Sequence, residues 1–192
     1  MDLTPTNRQL LYAVKLKGTI DAIDFDAVNW KATSGFHNRF VGHTSCDSQI
    51  THLIERISVQ QHSLLETLWC DDYFKHDLWA GTSLEQLKQH TRPFVELCKD
   101  MPRFTTSIHV DHRRAVTTGM IFFNRDNLLE QNTVFYTSEQ GAKPMNMSSA
   151  WCEGWYTANT HLSWHQGTNA SNITRYSIKF GLSLSMPSGQ VC

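Results

Sequence analysis

Charge is scarce in this 192-residue chain. Only 18% of its residues are Asp, Glu, Lys or Arg, and neither sign leads: 17 Lys and Arg face 18 Asp and Glu, for a net charge of -1. A protein whose affinity rests on neutralising phosphates carries a basic excess, so nucleic acid is not an expected partner. Cysteine is sparse as well. The five (Cys46, Cys70, Cys98, Cys152, Cys192) are odd in number, scattered, and never spaced as Cys-x-x-Cys. That fits neither a disulfide framework nor a thiolate zinc site. No apolar run approaches the ~20 residues that span a bilayer as a helix. The opening Met1-Asp2-Leu3-Thr4-Pro5 lacks the basic-then-apolar pattern of a secretory leader. These absences point to a soluble protein of a reducing compartment, the cytoplasm, with the sequons at Asn146, Asn169 and Asn172 accidental.

What the chain does have is enough length for one domain with a substantial core. It also has ten histidines, about twice ordinary usage. Gln9–Leu16 reads best as a short strand, with a short helix as the alternative, and the sequence to about residue 47 reads as loop. Ile50, Leu53, Ile54, Ile57, Leu64, Leu65 and Leu68 form the stripe of an amphipathic helix over 48–69, capped by Asp47 or Ser48. A second helix starts at Thr82 or Ser83, where Thr82-x-x-Glu85 and Ser83-x-x-Gln86 are both capping boxes, and Pro93 disturbs its end. Beyond residue 100 the texture turns to strands: 104–110, 115–123, 133–137, 154–157 and 173–184. The turn-forming stretches Asn124–Asn127 and Gln166–Asn169 lie among them. In the last strand Tyr176, Ile178, Phe180, Leu182 and Leu184 share one face, and Arg175, Ser177 and Lys179 the other. Helices followed by many strands predict an α+β protein with helices packed on a sandwich or barrel.

His109-Val110-Asp111 stands in the strand-rich half. Residues i and i+2 of an extended chain point to the same side, so both side chains reach one ion. Two imidazoles and a carboxylate on one face of an octahedron leave three positions open, the arrangement of non-haem Fe(II) oxygenases. The second imidazole is His165 or its rival His161. Arg175 follows His165 by ten residues and shares a strand face with Ser177. A guanidinium fork and a hydroxyl there can clasp one carboxylate. His-x-Asp alone is expected about half a time by chance in this composition, but the added His, Arg and Ser spacings cut that by over tenfold.

His109-x-Asp111, then His165, then Arg175-x-Ser177 resembles the Fe(II)- and 2-oxoglutarate-dependent dioxygenase superfamily, in particular its small prolyl-4-hydroxylase-like members, including phage ones. Lys99–Phe104, Gly119–Asn124 and Asn132–Tyr136 resemble the same group. The likeness spans about residues 97–185. It implies a double-stranded β-helix (jelly-roll) core at 97–185, with residues 1–96 a mainly helical support containing an early strand, all in one oxygenase domain. It also implies iron on His109, Asp111 and His165, and 2-oxoglutarate held by Arg175 and Ser177. The reaction implied is hydroxylation by O2 of a C–H bond in a peptide, an amino acid or a small metabolite, with release of succinate and CO2. Prolyl hydroxylases commonly carry lysine where this chain has Arg175, so prolyl specificity does not transfer. Asp111 is intact, which points away from halogenation. The competing expectation is a cupin-like binding module without redox chemistry, which gives no reason for Arg175 and Ser177.

Several neighbours are weighed against plainer roles. His112, Arg113 and Arg114 either grip an anion at the mouth or line a solvated loop. Asn124 and Tyr136 touch the cosubstrate or are simply buried. Trp151, Trp155, Tyr156 and Trp164 stack on substrate or fill the core. Cys152 is a small hydrophobe near enough to the site to be oxidised.

Overall fold

The computed structural model describes residues 1–17, 23–45, 48–123, 131–147 and 150–185. Twelve strands form two antiparallel sheets. The strands are β1 (Asp2–Pro5), β2 (Leu11–Lys15), β3 (Val28–Ala32), β4 (Arg39–Ser45), β5 (Thr91–Asp100), β6 (Phe104–Thr105), β7 (Ala115–Phe122), β8 (Thr133–Phe135), β9 (Met145–Met147), β10 (Glu153–Ala158), β11 (His165–Asn169) and β12 (Arg175–Leu184). The large sheet runs β1-β2-β10-β7-β12-β5-β4-β3 and the small one β6-β11-β8-β9. Facing sheets joined by crossovers, with helices on one outer side, make an α+β double-stranded β-helix.

The outer side of the large sheet is covered by α1 (Ser48–Trp69), whose Ile50, Leu53, Ile57, Leu64, Leu65 and Leu68 are all buried. They share one core with Leu97, Ile178, Phe180 and Leu182. A second, smaller core holds Met120, Phe122, Phe135, Met147 and Trp155. The alternation of β12 sorts its side chains between these environments: Ile178, Phe180 and Leu182 go to the helix side, while Arg175 and Ser177, equally buried, do not join that core. With both faces covered, β7 is buried at every position after Ala115. Gly154 on β10 is dictated by close approach, since a Cβ there would meet the Met120 carbonyl oxygen at 1.8 Å.

Several sequence expectations need correction. Residues 1–96 hold the helices but also far more than one early strand: β1 to β4 and most of β5 complete the large sheet. β3 and β4 lie where loop was expected. β5 occupies 91–100, through Pro93, and pairs along its length with β12. The proline is tolerated because β4 bonds β5 only over Leu97–Asp100, leaving an open edge at Pro93. Gln166–Asn169 is strand rather than turn, because it bonds β8 on one side and β6 on the other. Of the two candidate capping boxes, Ser83 with Gln86 is the one that opens α2 (Leu84–Gln89). Asn124–Asn127 and Asp47 lie outside the described residues.

Candidate metal centre

His109 and His165 face each other on neighbouring strand segments, joined by reciprocal backbone hydrogen bonds of 3.0 and 2.8 Å. Their rings are 4.5 Å apart between centroids. Asp111, two residues on, reaches the same space: its Oδ2 is 3.8 Å from His165 Nε2. One ligand atom from each of the three lies within 4.8 Å of the others. The Nδ1 of His109 donates to the Ser107 carbonyl and that of His165 to the Ser163 carbonyl, each at 2.8 Å. A carbonyl only accepts, so each Nδ1 carries the proton and each Nε2 keeps its lone pair for an ion.

Electrostatics keep the donors ready. Burial pulls His165 down to about 4, so it stays neutral. Burial raises Asp111, but the Lys179 ammonium, together with the other polar neighbours, outweighs it and holds the carboxyl at about 2. Lys179 Nζ donates to Asp111 Oδ1 at 2.8 Å, leaving Oδ2 on the histidine side. Asn159 Nδ2 donates to the carbonyls of Asp111, His112 and Ala115 at 3.2, 2.9 and 2.9 Å. Its amide fixes the turn that presents the carboxylate. Two imidazoles with a defined tautomer and one ionised carboxylate match what Fe(II) and similar divalent ions take. The donor set fits.

The trio opens on a cavity of about 240 Å³, walled further by Arg39, Lys179, Gly167, Thr133 and Trp155. Among the described residues, the buried Thr133 Oγ1, Trp155 Nε1 and Ser177 Oγ have no hydrogen-bond partner. The first two belong to the cavity wall and are free to meet a ligand.

Arg175 is placed differently from the expected free clasp. Its Nε and Nη2 donate to Asp100 Oδ2 at 3.0 and 2.6 Å, and its Nη1 to the Thr168 and Asn132 carbonyls at 2.6 and 3.3 Å. Asp100 also takes Arg39 Nε and Nη2 at 2.6 and 2.8 Å. Burial raises the Asp100 carboxyl, and the two guanidiniums outweigh burial and leave it lowered. Arg175 and Ser177 stand behind the cavity wall. A Cβ at Gly167 would come within 3.7 Å of Arg175 Nη2, so the glycine keeps a gap between that nitrogen and the cavity.

The remaining candidates separate cleanly. His161 is exposed beside Tyr73 and not with the trio. His112 and Trp155 line the cavity. Tyr156 stacks on Phe180, and Trp151 packs against the helix-side core. Cys152 is buried in that same core rather than beside the metal donors, and burial pushes its thiol up to about 11. Tyr136 donates to Gln166 Oε1, and Asn124 lies outside the described residues. Sequence reasoning passed over Arg39, Asp100, Asn159 and Asn169. Asn169, read as a sequon and as the end of a turn, is fully buried, and its amide donates to the carbonyls of Asp100, Met101 and Ile173.

No family model matches the sequence, and no curated protein matches it significantly. Solved structures do. HygX of Streptomyces hygroscopicus, solved with nickel, 2-oxoglutarate and hygromycin B, superposes with a TM-score of 0.58 at 7% identity, over 92% of this chain and 84% of that one. A Pseudomonas putida prolyl-4-hydroxylase gives 0.53 at 9% identity over 85% and 80%. The viral collagen prolyl hydroxylase of Paramecium bursaria Chlorella virus-1, in its 2-oxoglutarate complex, gives 0.52 at 10% identity over 78% and 81%. The chain has the fold of the 2-oxoglutarate- and iron-dependent oxygenases. Among the described residues of this oxygenase fold, no helix is long and apolar enough to cross a membrane.

Proposed function

We propose that the protein is an Fe(II)- and 2-oxoglutarate-dependent oxygenase acting as one unit over residues 1–192, in the cytoplasm, on a small-molecule or peptide substrate. Strands from both halves of the chain interleave in one sheet, which supports the single unit. His109, Asp111 and His165 would hold the iron. Arg175 Nη2, across the gap at Gly167, and Ser177 Oγ, buried and unpartnered, would hold the far carboxylate of 2-oxoglutarate. When bound, iron and 2-oxoglutarate supply the oxidation of a C–H bond by O2, with release of succinate and CO2.

The chain's own part is orientation and exclusion of water. The Ser107 and Ser163 carbonyls fix both imidazoles. Lys179 fixes which carboxylate oxygen of Asp111 faces them. Met120 and Trp155 keep one wall of the cavity apolar. The observation that carries the reading is the convergence of two tautomer-fixed imidazoles and an ionised carboxylate, drawn from residues 109–111 and 165, in one cavity.

Anaerobic titration with Fe(II) and then 2-oxoglutarate tests it. The expected result is the weak visible charge-transfer band of a chelated 2-oxo acid, absent in Asp111→Ala. A protein that binds metal without giving the band, and forms no succinate in O2, is a binding module instead.

A further inference from the structure

Among the described residues, the charges around the cavity do not balance. Arg39, Arg175 and Lys179 face Asp100 and Asp111, and the first pair of opposites is deeply buried: the side chains of Asp100 and Arg175 are 0% exposed and that of Arg39 is 11% exposed. With the histidines neutral, as ligation requires, three cations against two anions leave one positive charge. A divalent metal and the doubly charged 2-oxoglutarate cancel each other, so loading the site as read above leaves that charge in place. Buried charge is ordinarily paired.

Two donors are open to an anion. Arg39 gives Nε and Nη2 to Asp100, and among the described residues no bond engages its Nη1. The guanidinium is held flat by aromatic rings, 4.3 Å from the Phe104 centroid and 5.7 Å from that of Phe36. Lys179 gives one of its three N–H groups to Asp111 Oδ1. Once a metal shares the Asp111 charge, the ammonium lies next to a second cation and gains most from a new anionic partner. Both residues are part of the same cavity wall, whose volume of about 240 Å³ lies below the ~300–1,000 Å³ of drug-sized sites.

We propose that Lys179 and Arg39 form a carboxylate seat for the substrate to be oxidised, so that the substrate is a small carboxylic acid anchored beside the metal. This rests on the oxygenase reading and deepens it. The seat places the acid's neighbouring C–H bonds next to the ion, because Lys179 bonds the carboxylate that would bind that ion. A metal-adjacent lysine likewise disfavours a cationic substrate.

The test uses full-length protein loaded with Mn(II) and 2-oxoglutarate in the absence of O2. The probes are N-acetyl-L-amino acids and their carboxamides, and binding is read from Mn(II)-induced broadening of the probe's proton signals. Acids should bind at least roughly tenfold more tightly than the matching amides. Lys179→Met, compared with the unmodified protein at Mn(II) and 2-oxoglutarate concentrations that saturate each, should abolish that preference. Arg39→Lys, which keeps a cation for Asp100, should reduce the preference with little change in Tm. Equal binding of acids and amides overturns the proposal while leaving the oxygenase reading intact. So does a Lys179→Met protein that, saturated with Mn(II), keeps the preference for acids, or one that loses 2-oxoglutarate, since the seat then serves the cosubstrate. Failure of the unmodified protein to bind Mn(II) and 2-oxoglutarate overturns both.

Discussion

His165 carries the sharpest pH signature. Its ring packs 5.3 Å from those of Phe135 and Trp155, and burial takes it to about 4 from an ordinary 6.5. As pH falls below 6.5 the unfolded chain takes up this proton before the folded one. Stability of the metal-free protein should therefore drop between pH 6.5 and 4, by up to ~3 kcal/mol. Asp111 adds the opposite kind of group, whose contribution is present above 3.8 and lost as pH falls towards 2. Denaturant melts at pH 6.5 and 4.5 should show the loss in the unmodified protein, and a much smaller one in His165→Gln. Asn159 acts on the same centre through backbone alone. Asn159→Ala frees three carbonyls around Asp111, and metal affinity measured by calorimetry should fall roughly tenfold, as for other groups that orient a ligand. That His109 and Asp111 share one space was legible because a two-residue extended spacing fixes side-chain direction, while His165 was expected there with His161 as its rival. Lys179 was placed on the Arg175 and Ser177 face but not given a role, since its partner Asp111 lies 68 residues away.

The elements that hold the site are the paired strands, and their constraint is steric. Gly154 on β10 sits against the Met120 carbonyl of β7, which cannot retreat without breaking the ladder between them. Gly154→Ala should cost about 2–3 kcal/mol. Gly35→Ala, where the added methyl meets nothing within 4 Å, should be close to neutral in the same thermal melts. Helix α1 was readable over its full length because its apolar period is strong and is broken only at the buried Gln61. β5 was not. Pro93 and the mixed run Thr91–Asp100 mask a strand whose evidence is its partner β12, more than seventy residues downstream. Likewise β11 holds the turn-like residues Gly167 and Asn169, and only bonding to β6 and β8 makes it a strand.

At the scale of the whole molecule, the N-terminal part is built into the site. Arg39 on β4 bonds Asp100 on β5, which bonds Arg175 on β12, so three neighbouring strands share one buried charge network. Replacing Asp100 by Asn leaves two buried guanidiniums without their anion, which should cost about 3–5 kcal/mol. Tm should fall by on the order of 10 °C. An unchanged melt would mean that water already neutralises the pair. This network was invisible in the sequence because the motif region begins near residue 97 and no local pattern marks Arg39. A sandwich or barrel was legible from the strand-rich second half, and the family resemblance made it a jelly roll, but its completion by β1 to β4 was not legible.

The proposed binding of a single ion by His109, Asp111 and His165 underlies all of this, and an anomalous difference map from crystals grown with Mn(II) examines it without reference to turnover. The expected map has one strong peak, bonded to His109 Nε2, Asp111 Oδ2 and His165 Nε2 at ~2.1–2.2 Å, with Nδ1 of each ring still on its serine carbonyl. A peak elsewhere, or a fully ordered trio with no peak at saturating Mn(II), would contradict it.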